Sequence, residues 1–294
     1  MTQRTISARV RPSRHRHGPG LTTTDLSADV VGQPLDPFIV VSLYDMAGPT
    51  FPPHPHAGFS VATYILPESP VGFVNHDTLG NRNRIAPGAL HVTVAGSGVQ
   101  HEEQPERTGA LARGFQIWID HAADQREIAP HALHLRAEEA PVVVRDGARA
   151  RVVLGGSQGA TSPLLTPTPV RLIDVSLDRG AAYAQDLLRG ETAFLVVHAG
   201  AVSIAGVRVE AGEVATTSTD GDELVVQAHE TAARFTLFAG MPLHEKRVQR
   251  GPFVAADVQQ LQRFVGTFER TGFGRLTPFA AQPDWAPNDG QTIP

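Results

Sequence analysis

Glycine and proline set the size of every element this chain can form. Its 294 residues include 28 glycines and 23 prolines spread along the whole length, and they cut the apolar positions into runs of about five to eight residues, the length of strands. The runs are rich in β-branched and aromatic side chains: FIVVSLYD (38–45), SVATYIL (60–66), ALHVTVAG (89–96) and GFQIWID (114–120), then ARVVLGG (150–156), VRLIDVSL (170–177), TAFLVVHAG (192–200), ELVVQAH (223–229) and ARFTLFAG (233–240). Side chains of that shape fit a pleated, half-buried surface, so an all-β sandwich or barrel is expected. The pattern occurs twice, over 36–125 and 165–245, with 141–164 between as an expected bridge of mixed helix and loop. One helix is expected, Ala255–Phe268, where Val258, Leu261, Phe264, Val265 and Phe268 follow Asp257 at helical spacing. Residues 1–30 read as a flexible basic tail and 277–294 as a Pro-rich one, leaving domains at 31–145 and 146–276.

What the chain lacks narrows its chemistry. It has no cysteine, so disulfides, iron–sulfur clusters and thiolate zinc sites are excluded. Any metal must be held by His, Asp and Glu, a donor set that suits Fe(II), Mn(II), Ni(II), Cu(II) or Zn(II). A net charge of −5 gives no electrostatic reason for direct nucleic-acid binding. The first residues are basic and polar without the apolar core of a signal peptide, and no run of about 18 apolar residues occurs. A cytoplasmic protein without a membrane span is therefore expected.

Two short segments carry the candidate chemistry. FPPHPHAGF places His54 and His56 two apart at the start of a strand, and in extended chain such residues project from the same face. Pro52, Pro53 and Pro55 disfavour helix and stiffen the loop. In PGALHVTVAGSGVQHEEQP (87–105), a turn, an extended run and a tight bend lead to His101 and Glu103, again two apart. On neighbouring strands these pairs would set three imidazoles and one carboxylate around one ion, leaving open positions on an octahedral centre. The remaining histidines are assigned quieter roles. His76 and His91 are hydrogen-bonded structural groups or line the pocket; His121, His131 and His134 sit in loops; His15 and His17 lie in a polar tail; His198, His229 and His244 form no ligand pair. Trp118 is expected in the core. Phosphate-loop, dinucleotide-fold and nucleophile-elbow motifs are missing.

The same segments resemble the pirin family of bicupins. Pro53-His54-Pro55-His56-Ala57-Gly58-Phe59-Ser60 is similar to the family's P-x-HPHRGFE, Asp77-Thr78-Leu79-Gly80-Asn81 to its D-S-L-G-N turn, and Pro87-Gly88 through Ala95-Gly96-Ser97-Gly98, His101, Glu103 and Pro105 to its PGD…TAGRG-x-x-H-x-E-x-P. Gly114-Phe115-Gln116-Ile117-Trp118, Leu35-Asp36-Pro37-Phe38 and Gly251-Pro252-Phe253-Val254 extend the likeness over about residues 30–275. The resemblance implies an all-β chain of two cupin-type β-barrels with a short C-terminal helix. It implies one divalent transition metal, iron first, in the N-terminal barrel on His54, His56, His101 and Glu103, and none in the C-terminal one. Ala57, Ser60, Val92 and Ser97 depart from the family's usual Arg, Glu, Trp and Arg. The leading function is a quercetin 2,3-dioxygenase-type enzyme acting on a flavonol or other small aromatic molecule, with Glu103 taking the phenolic proton. The alternatives are a non-catalytic metal-dependent module that binds a protein partner, or another metal-assisted enzyme such as an isomerase.

Overall fold

The computed structural model describes residues 2–282, and its strands follow the apolar runs because successive side chains point to opposite faces. The described chain forms two compact units. Among the described residues the N-terminal unit comprises Arg14–Thr24, Val40–Ala137 and 243–282; the C-terminal unit comprises 2–13, Asp25–Ile39 and Glu138–Pro242. Each is built on one seven-stranded and one four-stranded antiparallel sheet. Among the described residues no helix is long and apolar enough to cross a membrane.

In the C-terminal unit the larger sheet runs in the order Ile6–Val10, Val214–Thr217, Thr192–Ala199, Ala233–Gly240, Val170–Leu177, Ala148–Leu154 and Val142–Arg145. The smaller one holds Ala182–Asp186, Glu223–Ala228, Ala201–Ile204 and Val207–Glu210. Two expectations change here. Residues 142–154 are not a bridge of helix and loop but a hairpin, its strands paired from Val142↔Arg151 to Arg145↔Ala148. Asp146 and Gly147 both take positive φ, 46° and 79°, the conformation a two-residue hairpin turn demands and Asp-Gly supplies. Nor are residues 1–30 a flexible tail. Ile6–Val10 pairs with Val214–Thr217, and Ala28–Val31 is a helical turn capped by Ser27. Arg4 is fully buried, donating to the carbonyl oxygens of Gly221 at 3.0 Å, Glu191 at 2.6 Å and Leu188 at 2.6 Å. A guanidinium is tolerated there because its fork of donors finds acceptors.

In the N-terminal unit the larger sheet runs His131–Leu135, Leu90–Val94, Phe59–Ile65, Ala112–Asp120, Phe38–Met46, Leu21–Leu26 and His15–Arg16. The smaller one runs His54–His56, Val99–Pro105, Phe73–Asp77 and Arg82–Ile85. The helix spans Val258–Thr271, N-capped by the Asp257 side chain on the Gln260 N–H and closed by Gly272 in the left-handed region. Its Leu261 and Phe264 pack with Ala57, Phe253 and Ala255. The Ala57 N–H donates to Pro252 O and the Val254 N–H to Ala57 O, and a Cβ on Gly58 would lie 1.7 Å from Val254 O. The helix-bearing segment thus seals the back of the residue that follows His56. Of the expected 277–294 tail, Phe279–Ala281 form a short 3-10 turn with Phe279 buried; residues 283–294 lie outside the described part.

Candidate metal centre

The short strand His54–His56 pairs with the start of Val99–Pro105, so that His54 lies opposite His101 and His56 opposite Val99. The period of two that puts His54 and His56 on one face also turns His101 and Glu103 to a common side. Three imidazoles result, with ring centroids 4.6 to 4.9 Å apart and donor atoms all within 4.8 Å of one another. His54 Nδ1 donates to Pro52 O at 3.0 Å, which fixes its tautomer and leaves Nε2 as a lone pair. That Nε2 lies 3.1 Å from His101 Nε2. Two nitrogens each about 2.1 Å from one ion and at right angles would stand about 3 Å apart, so the spacing suits cis ligands.

Unused hydrogen-bonding capacity points the same way. Both ring nitrogens of His56, Nδ1 of His101 and Oε1 of Glu103 are buried without a hydrogen-bond partner, although buried polar atoms are normally paired. Burial holds all three imidazoles below the usual histidine range, and neighbouring histidines lower His56 and His101 further. They are therefore neutral, the state that binds a metal.

Glu103 stands apart from the three histidines: it is not in the group whose donors converge within 4.8 Å. Its Oε2 accepts from Thr63 Oγ1 at 2.8 Å and from Gln116 Nε2 at 3.5 Å. Burial pushes its carboxyl up to about 7, helped by Asp77 and opposed by the Thr63 and Gln116 hydrogen bonds. The Tyr44 hydroxyl, buried without a partner, is pushed up by burial and then by Glu103. Sequence reasoning misses Thr63, Gln116 and Tyr44. A signal exists for two of them: Thr63 and Gln116 are polar positions inside apolar runs, and they are direct partners across the strands.

Several expected placements need correction. Trp118 is not core: it is half-buried, its ring 5.6 Å from His56 and 4.6 Å from Phe59. Strand alternation puts it on the face of Gln116, turned to the histidines. His131 and His134 belong to the strand His131–Leu135 rather than loops. His121 lies in the loop after Ala112–Asp120, as expected, and is fully buried there, with Nε2 2.8 Å from Ser60 Oγ, because the chain folds back through Arg126, itself buried 2.8 Å from Asp120. His91 lies 3.3 Å from Asn75 Nδ2 and 3.4 Å from Asn83 Nδ2. His76 lies 2.9 Å from Glu102 Oε2. Ala57 and Val92 are fully buried.

Comparison with known proteins comes down on one family. Residues 24–119 match the domain family described as Pirin, and 172–274 that described as the Pirin C-terminal cupin domain. Human pirin is 31% identical over 257 residues, 83% of this chain and 87% of that one. A Pseudomonas aeruginosa protein provisionally named quercetin 2,3-dioxygenase is 30% identical over 262 residues, 84% of this chain and 90% of its own. A solved quercetin 2,3-dioxygenase from Acinetobacter baumannii superposes with a TM-score of 0.83 at 25% identity, covering 94% of this chain and 100% of that one.

Proposed function

The chain belongs to the pirin family, and on that premise we propose that His54, His56, His101 and Glu103 hold one divalent transition metal for dioxygenation of a hydroxylated aromatic such as a flavonol. The observation that carries this reading is the convergence of three neutral imidazoles, with Glu103, two residues along the strand from His101, presenting a buried carboxylate oxygen that no protein group satisfies. Iron is the first choice of metal, with Mn, Ni, Cu and Zn as alternatives. A bound divalent ion supplies Lewis acidity and redox capacity, and it eases ionisation of a coordinated hydroxyl.

The side chains do the rest. Thr63 and Gln116 hold Oε2 of Glu103, which leaves Oε1 to coordinate the ion or, swung free of it, to receive the phenolic proton. Trp118, half-buried, offers apolar ring surface next to His56, and Phe59 packs against it. Phe51 is 46% exposed with its ring 5.9 Å from that of His54, so a planar substrate can lie against it on the solvent side. The test is oxygen uptake by protein loaded separately with each metal, across a flavonol panel. Turnover above that of the free ion is expected, and Glu103→Gln should lower it at least tenfold. No turnover with any metal sinks the enzymatic reading.

A further inference from the structure

We propose that the segment Gly272–Phe279 is a strap that positions the strand bearing His101 and Glu103, with Phe279, His76 and Glu102 as positioning residues for the metal; this rests on the metal site proposed above. The strand Val99–Pro105 is two-sided. His101 and Glu103 face the imidazole cluster, while Gln100 and Glu102 face away; these two, and Gly98 just before the strand, hold the C-terminal segment. A Cβ on Gly98 would lie 2.3 Å from the Phe273 ring, so that ring rests on bare backbone. Gln100 Nε2 donates to Gly272 O and, at 3.1 Å, to Gly274 O. Glu102 Oε2 accepts from the Phe279 N–H at 2.8 Å and lies 2.9 Å from His76 Nε2.

The third contact is the most telling. Glu102 and His76 are only 4% and 3% exposed, and the Phe279 ring stacks on the His76 ring at 3.9 Å between centroids and 25° between planes. His76 itself sits opposite Glu102 on the neighbouring strand. A buried carboxyl group with a partner on either side holds its own backbone in place, and misplacing it would leave buried polar groups unsatisfied. Fixing residue 102 fixes the directions of 101 and 103. Contacts that orient ligands from behind are commonly worth about 10- to 100-fold in metal affinity.

The experiment titrates Co(II) alone into the full-length apo chain against a competing chelator, following the visible absorption bands of the bound ion. Phe279→Ala and His76→Leu are each expected to weaken Co(II) binding by about 10-fold or more and to alter the bands, whereas His76→Gln, which keeps a donor to Glu102, should recover most of the affinity. A strap that only stabilises the fold would lower the apo melting temperature and leave affinity and spectrum as in wild type, which overturns the proposal. Wild-type protein that binds no Co(II) would overturn the metal site and the strap together. Should a variant not fold, hydrogen exchange on wild type decides. Amides of 98–105 and 272–281 are expected to gain protection together on adding Co(II), since coupling is reciprocal; no gain in 272–281 overturns the strap.

Discussion

In the C-terminal unit, Val152, Ile173, Val175, Leu195, Val197, Val202, Leu224, Val226, Phe235 and Leu237 form one continuous apolar cluster drawn from both sheets. In the N-terminal unit the same sheet plan closes an aliphatic and aromatic cluster around Tyr44, Met46, Ile65, Phe73, Ile85 and Ala112. The unit also buries Thr63, Asn75, His91, Thr93, His101 and Glu103. A small barrel is filled by side chains or opened for a ligand; the C-terminal half takes the first form, and the proposed function assigns the second to the N-terminal half. Among the described residues the only group of three metal-capable donors converging within 4.8 Å belongs to the N-terminal unit. Aliphatic fill stabilises; buried polar groups cost stability unless something satisfies them.

The sharpest way to break this contrast is to remove a ligand from one unit and a histidine from the other. His101→Ala should take metal content from about one ion per chain to a small fraction, read by elemental analysis after purification. His198→Ala should leave it unchanged, because His198 Nε2 sits 2.8 Å from Thr236 Oγ1 within the C-terminal unit. Equal metal loss in both variants would erase the functional difference between the barrels. Next in size comes the core. Phe235 is fully buried in the aliphatic cluster, so Phe235→Ala should cost about 3–5 kcal/mol in denaturant unfolding, with metal content per folded chain preserved.

The histidine cluster is legible in the sequence because strand periodicity is simple: residues two apart share a face, so the spacing alone aims His54 and His56 together and sets His101 to meet them. The barrels are legible for the same reason. What stays hidden are features that strand periodicity does not decide. Phe115, Ile117 and Ile119 are buried on one face of their strand, but Trp118 between them is apolar too, so alternation does not reveal that it faces the histidines. Residues 6–10, ISARV, do alternate, yet the flanking arginines mask a strand whose partner lies some 200 positions away at Val214–Thr217. Glu103 falls on the expected face, but its turn towards Thr63 and Gln116 depends on which polar residues the opposite sheet supplies.

Acid should separate the two units as well. Burial lowers His91 to about 3 and His121 to about 4, both in the N-terminal unit. The unfolded chain takes up these protons near pH 6.5 while the folded one refuses them, so stability falls as pH drops from about 6.5 towards 4, by about 1.4 kcal/mol per pH unit per group. Hydrogen exchange at pH 5 against pH 7 should show strands 59–65 and 90–94 opening more readily, with strands 170–177 and 233–240 little changed. Uniform loosening of both units would contradict the assignment.

The smallest expected effect probes how the polar interior tunes its one carboxyl. Thr63→Val keeps volume and β-branching but removes the hydroxyl that donates to Glu103 Oε2. That bond favours the charged carboxylate and opposes burial, so losing it should raise the proton affinity of Glu103 above its present value of about 7, by about one pH unit or less, roughly 1.4 kcal/mol. The folded protein would be little less stable, since a valine methyl suits the apolar neighbours on its strand. Metal uptake, which competes with that proton, should then shift to higher pH by the same amount. An unshifted profile would mean that Thr63 merely fills space, as its aliphatic counterparts do in the other barrel.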